Sequence, residues 1–161
     1  MTDITVDLNG YRVNLRVGAI VTRGADVLLC RLRNQNWWYL PGGRVKTNED
    51  SLAAIQRELS EEIGAGFNVI RPVITAENFF KFEGRHFHEI SIYYEVAWSA
   101  GEFHSTERGN DELFEWIPRE SLCDVVLKPD FIKEHILNPG PGIELIIHRD
   151  YEQTSELNSI P

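Results

Sequence analysis

One strong amphipathic helix stands between runs patterned for β-strands, and this order limits the folds open to the chain. Across residues 49–63, Leu52, Ile55, Leu59 and Ile63 recur at helical spacing, and Gly64 stands where a C-terminal cap belongs. Before that helix, residues 11–23 and 27–32 are rich in Val, Ile and Leu. Gly24-Ala25-Asp26 between them predicts a hairpin. Residues 37–40 read as a short aromatic strand that stops at Pro41-Gly42-Gly43. Beyond the helix, residues 68–80 and 88–98 form a second pair of β-rich runs joined by the polar segment 81–85. Residues 113–117 and 143–148 predict further strands, and 129–137 a second helix. Strands around one helix, with another helix near the end, predict an α/β/α sandwich on a mixed sheet. We read residues 1–150 as one domain and 151–161 as a polar tail.

The helix carries an unusual load of acid. At about 100° per residue, Glu58 and Glu62 are an i, i+4 pair at the margin of the apolar stripe, and Glu61 lies beside them towards solvent. Arg57 is placed to pair with Glu61 one turn on. Carboxylates this close repel one another unless a cation sits between them. Magnesium favours such oxygen ligands and keeps positions open for phosphate oxygens. Pro41-Gly42-Gly43, just upstream, allows a sharp turn and a close approach of ligand to backbone.

Composition fits this picture. The chain has 161 residues, 42% hydrophobic and 25% charged, which is enough for a soluble domain with its own core. Its formal net charge of −9 argues against a general nucleic-acid binder, whose affinity comes from Lys and Arg on phosphates. An acidic protein that handles a small phosphorylated ligand needs a metal ion. No apolar run approaches the roughly 20 residues that span a bilayer, so no membrane partner is expected. The first residues lack the basic start and apolar stretch of a secretory leader, which makes the cytoplasm the expected compartment. Cys30 and Cys123 have no metal-like spacing and are expected to be reduced thiols.

The segment as a whole resembles the Nudix box, which runs Gly, five residues, Glu, seven residues, Arg-Glu, an aliphatic, any residue, Glu-Glu, any residue, Gly and an aliphatic. Here these positions are Gly43, Glu49, Arg57-Glu58, Leu59, Glu61-Glu62, Gly64 and Ala65, the last smaller than is usual. The likeness extends to flanking segments such as Trp38-Tyr39-Leu40-Pro41-Gly42-Gly43 and Trp116-Ile117-Pro118, and covers roughly residues 10–137. It implies the Nudix-type α/β/α sandwich and hydrolysis of a nucleoside diphosphate linked to another group, in which water attacks phosphorus with Mg²⁺, or Mn²⁺ in its place, as cofactor.

The resemblance also implies roles. Glu58 and Glu62 would be the metal ligands, the pair that their stacking independently selects. Glu61 would be a third ligand or the catalytic base, and the main-chain carbonyl of Gly42 a further ligand. Gly43, Glu49, Arg57 and Gly64 would shape the loop-helix-loop. Relatives often add a carboxylate from outside the box, for which Glu77, Glu89, Glu107, Asp111 and Glu112 are candidates. Glu112 is the choice, because it falls in a polar loop just before the strand that carries Trp116. Arg16, Arg31, Arg33 and Arg44 could meet phosphate charge. Trp37, Phe79 and Phe80 could stack on a base, while Trp38 suits core packing, and His86 and His88 are expected to face solvent. The substrate, a small nucleotide, stays open between a nucleotide sugar such as ADP-ribose and a nucleoside triphosphate; diadenosine polyphosphates and capped RNA also remain open, although the acidic balance makes RNA less attractive. The short start gives little support to the swapped dimer of ADP-ribose relatives, although a homodimer stays open. A non-hydrolytic nucleotide sensor is the alternative function.

Overall fold

A computed structural model describes residues 1–99 and 112–150. The strands are β1 (Thr5–Leu8), β2 (Tyr11–Arg23), β3 (Asp26–Leu32), β4 (Gly42–Arg44), β5 (Phe67–Phe82), β6 (Arg85–Trp98), β7 (Glu112–Pro118) and β8 (Glu144–Arg149). The helices are α1 (Ser51–Ile63) and α2 (Phe131–Leu137), preceded by a 3₁₀ turn at Arg119–Asp124. They form one sheet in the order β7-β3-β2-β6-β5-β8, with β1 and β4 also on β2. The β2–β6 and β5–β8 pairs are parallel and the others antiparallel, so the sheet is mixed as the sequence predicts.

Alternation along β2 assigns its two faces. Val17, Ala19 and Val21 pack with Ile55, Leu59 and Ile63 of α1, while Ile20 joins Ile74, Tyr93, Ile132 and Ile136 on the side of α2. Each of these large aliphatic side chains is worth roughly 1.5–3 kcal/mol when removed from water, so the central strands carry a helix on each face. This is the α/β/α sandwich expected.

Leu52 is 46% exposed. The buried face of α1 instead consists of Ala54, Ile55, Glu58, Leu59, Glu62 and Ile63, so the stripe is rotated towards the two glutamates. Glu58 and Glu62 thus lie within the buried face rather than at its margin. The helix starts at Ser51, capped by Asp50, whose side chain accepts a hydrogen bond from the Ala53 amide at 2.8 Å. Glu49 lies outside the helix and accepts from the Lys46 amide at 2.9 Å.

Residues 37–40 do not form a strand. Tyr39 bridges Cys30 on the free edge of β3, and Trp38 bridges Leu127. The β2–β3 hairpin pairs at only two positions, Thr22 with Val27 and Arg23 with Asp26. Beyond them the two strands part, and β4, absent from the sequence reading, pairs with Arg16, Val17 and Gly18 of β2. The splayed hairpin therefore brings the Pro41-Gly42-Gly43 turn to the sheet. Neither β1 nor the 3₁₀ turn was anticipated from the sequence. Residues 151–161, read as a tail, lie outside the described residues.

Candidate active site

The box helix and the β4 turn meet through backbone that only glycine permits. Gly42 has φ +141°, and a Cβ there would collide with the carbonyl oxygen of Val17. A Cβ on Gly43 would overlap the carboxylate of Glu58. The Gly42 amide donates to Oε2 of Glu62 at 3.0 Å. Two successive glycines thus lie against two glutamates one turn apart, both only 4% exposed.

Arg57 organises the acids around this turn. Its Nε and Nη2 donate to the two oxygens of Glu49 at 2.7 and 2.9 Å, and its Nη1 donates to Glu58 at 2.8 Å and Glu61 at 3.3 Å. Nη2 also donates to the Arg44 carbonyl at 3.1 Å. The Arg57–Glu61 pair is present as expected, but Glu49 receives the planar fork. Arg57 holds the Glu49 carboxyl at about 2, chiefly through its hydrogen bonds, against the opposing effect of burial. The acids in turn raise the Arg57 guanidinium further above its usual range, so it stays charged. Ala65, the short member of the box, is exposed and leaves no core position for a larger side chain to fill.

A polar cleft of about 270 Å³ opens over this array. Glu58 and Glu61 line it, with Asp3, Gly43 and four cations: Arg16, Arg44, Lys46 and Arg57. Arg16 and Arg44 are opposite one another on β2 and β4. Within a chain of net charge −9, this places positive charge locally beside the carboxylates. Arg44 also pairs with Asp3 at 3.4 Å. Lys46 and Asp3, which no motif in the sequence singles out, reach the cleft through the pairing of the N-terminal segment with residues beyond β4.

Arg31 is not brought into this cleft. Its guanidinium lies over the Trp38 ring at 4.8 Å and donates to the Gln35 carbonyl at 3.1 Å, so it braces the 35–38 segment. Arg33 is exposed in the turn after β3. Trp38 packs against the core as expected. Phe79 and Phe80 are consecutive on β5 and so point to opposite faces. Phe79 stacks on His88 at 4.2 Å and Phe80 on Phe87 at 4.8 Å. His88, expected in solvent, is held between Phe79 and Glu77, to which its Nε2 is 2.9 Å. His86 is half-buried against Tyr11.

Of the carboxylates outside the box, Glu107 and Asp111 lie outside the described residues. Glu77 is engaged with His88. Glu89 is buried, accepts from Asn14 at 2.7 Å and stands 3.8 Å from Arg16. Glu112 is buried at the first residue of β7, and its Oε1 accepts from the Tyr39 hydroxyl at 2.5 Å. Its Oε2 is buried and accepts no hydrogen bond from the described residues. Tyr39 escaped the sequence reading, because an aromatic residue in a Trp-Trp-Tyr-Leu run signals packing.

In kind, the donors fit a hard divalent cation: carboxylates and backbone oxygen, including one buried carboxylate oxygen with no hydrogen bond from the described residues. In the present arrangement the acids are drawn onto Arg57 and the Gly42 amide. Among the described residues no three His, Cys, Asp or Glu side chains converge on one point. Neither cysteine is in a disulfide; Cys30 is buried and Cys123 exposed. Among the described residues no helix is long and apolar enough to cross a membrane.

Fold and site together define an α/β sandwich with a helix-borne array of carboxylates clamped against a glycine turn. The NUDIX domain model matches residues 13–137, and the chain belongs to that family, whose hydrolases generally use divalent metal ions. It is 34% identical over 84 residues to an RNA pyrophosphohydrolase of Ruthia magnifica subsp. Calyptogena magnifica, covering 52% of this chain and 46% of that protein. The RNA pyrophosphohydrolase of Edwardsiella ictaluri is 32% identical over 78 residues, covering 48% and 44%. The match thus spans less than half the length of these two curated relatives. Among solved structures, a MutT protein from Bacillus halodurans superposes with a TM-score of 0.62 at 20% identity, covering 84% of this chain and 89% of that one. A NUDIX hydrolase from Nitrosomonas europaea gives 0.62 at 18% identity, covering 84% and 78%. At these identities the superpositions establish the shared fold.

Proposed function

We propose that this chain is a magnesium-dependent pyrophosphohydrolase that cleaves a phosphoanhydride bond in a nucleoside diphosphate linked to another group. The observation that carries this reading is the pair of buried glutamates, Glu58 and Glu62, pressed against Gly43 and Gly42 and flanked by the Arg57 clamp. Carboxylates are retained in such a place, at a cost in desolvation and repulsion, where a cation compensates them.

Glu58 and Glu62 would hold the cation with the Gly42 carbonyl, and Glu61 stands at the mouth, 41% exposed, as a further ligand or base. When bound, the cation polarises the phosphoanhydride and offsets charge on the leaving oxygen. Arg16 and Arg44, across the cleft, bind and orient the phosphate oxygens. Glu112 takes the proton of the attacking water through its second carboxylate oxygen. Glu49 and Arg57 keep the turn and the helix in register without touching substrate.

A panel tests the reading: ADP-ribose, a UDP-sugar, nucleoside triphosphates and a 5′-triphosphorylated RNA oligomer, each assayed for released phosphomonoester or pyrophosphate. The RNA arm is included because relatives bear that activity in their names, although the net charge of −9 favours the small nucleotides. Hydrolysis is expected with Mg²⁺, to vanish in chelator and to return with Mg²⁺ or Mn²⁺. Turnover undiminished in metal-free protein, or none with any member of the panel, would overturn the proposal.

A more local expectation follows from Gly43. In Gly43→Ala the new methyl group must displace the Glu58 carboxylate from its seat. The rate should fall at least about tenfold, as for a misplaced active-site group, and circular dichroism should show an intact fold. A fully active Gly43→Ala would show that Glu58 does not need that position.

A further inference from the structure

Glu112 is buried at the edge of the sheet. It is the first residue of β7, paired with Leu32 at the last position of β3. Tyr39 comes from the other edge of β3. Its amide donates to the Cys30 carbonyl at 2.8 Å and its carbonyl accepts from the Cys30 amide at 2.9 Å, while Cys30 pairs with Phe114 on the opposite side. Strands are about 4.8 Å apart, so Tyr39 and Glu112 are separated by roughly two strand spacings and meet only because the phenol reaches across β3. The hydroxyl donates to Oε1 of Glu112 at 2.5 Å. One carboxylate oxygen is thereby tied down and the other, Oε2, is left buried without a hydrogen bond from the described residues.

The tether is itself firmly anchored. The Trp37 ring lies 5.5 Å from that of Tyr39, and three residues further on the chain enters the Gly42 turn that receives Glu62. Burial and then the hydrogen bond to Glu112 push the Tyr39 hydroxyl well above its usual range, with the charge of Glu62 also contributing. The phenol therefore stays a donor, and it lies within the electrostatic reach of the box helix.

We propose that Tyr39 is the positioning residue for Glu112: its hydroxyl, held across β3, fixes the carboxylate so that Oε2 is presented to the attacking water. This deepens the hydrolase reading and rests on it. The water gives its proton to Oε2 as its oxygen forms the bond to phosphorus, and the bond to the leaving phosphate oxygen breaks.

The test is a double-mutant cycle on turnover, using Tyr39→Phe, Glu112→Gln and the two combined, with the best substrate of the panel and Mg²⁺. Tyr39→Phe should lower kcat by about tenfold or more and leave KM within about twofold, because the tether acts on the chemical step. Added to Glu112→Gln it should cost nothing further, since there is no carboxylate left to position. Glu112→Asp, which shortens the carboxylate and leaves Tyr39 intact, should lower kcat similarly and serves if Tyr39→Phe does not fold. Wild-type kcat in Tyr39→Phe overturns the inference, as do losses that multiply across the cycle or a fully active Glu112→Gln. In each of those cases hydrolysis by wild type leaves the function itself standing. Absence of hydrolysis in wild type overturns both.

Discussion

Glu58→Gln and Glu62→Gln should each lower turnover at least about a hundredfold while the protein stays folded. Both side chains are buried on α1, and glutamine fills the same volume. In Glu62→Gln the remaining carbonyl oxygen still accepts from the Gly42 amide, so the helix–turn contact survives. In Glu58→Gln, Arg57 keeps Glu49 and Glu61. Removing one negative charge from this crowded array relieves repulsion and loses an ion pair, effects of opposite sign. Melting temperatures should therefore stay within about 5 °C of wild type, equivalent to roughly 1–2 kcal/mol. The lost charge is needed most where negative charge builds up on the transferred phosphorus, so kcat should fall far more than KM changes. A folded variant with near-normal turnover would take its residue out of the metal site.

The box was legible because its chemistry is local. Glu58, Glu61 and Glu62 are brought together by helical periodicity alone, and Gly42-Gly43 announces a turn in any context. What the periodicity mistook was which way the helix faces. Leu52 looks like the start of an apolar stripe, but the turn at β4 rests on the other side of α1, and the sheet buries Glu58 and Glu62 in place of Leu52. Longer connections were less legible. The strongest partner of Arg57 is Glu49, eight residues back and outside the helix, where no i, i+4 rule applies. Glu112 could be selected as an acid in a polar loop before a strand, but it is the first residue of β7, and its partner Tyr39 lies 73 residues away and across a strand. Strand β4 was hidden for a related reason: glycines that break a strand in isolation here allow the close approach of β2. Arg31 looked like any other strand arginine, and only the position of Trp38 shows that it is occupied.

The second large effect is expected from Arg57→Ala, which should cost about 3 kcal/mol of unfolding free energy, the low end for breaking a buried ion pair. The Arg57 side chain is 19% exposed, whereas the side chains of Glu49 and Glu58 are 6% and 5% exposed, so the deletion leaves poorly solvated acids without their cation. The pH dependence gives the loss a signature. In wild type, Glu49 has a carboxyl held at about 2 against an ordinary value of 4.5, chiefly by hydrogen bonds from Arg57. A depressed carboxylate contributes stability that is fully present above 4.5 and is lost as pH falls towards 2. Wild type should therefore weaken progressively across that window. In Arg57→Ala the depression is gone, so the variant lacks this contribution, and its gap to wild type should narrow as pH falls from 4.5 towards 2. Urea titrations at pH 7 and at about pH 3 read both quantities. Arg57→Lys should fall between the two proteins, because an ammonium retains the charge but cannot serve Glu49, Glu58 and the Arg44 carbonyl together as the guanidinium does. Equal stability of Arg57→Ala and wild type at pH 7 would show that the acids are compensated without Arg57. A gap that widens on acidification would show that Glu49 is not the group Arg57 holds.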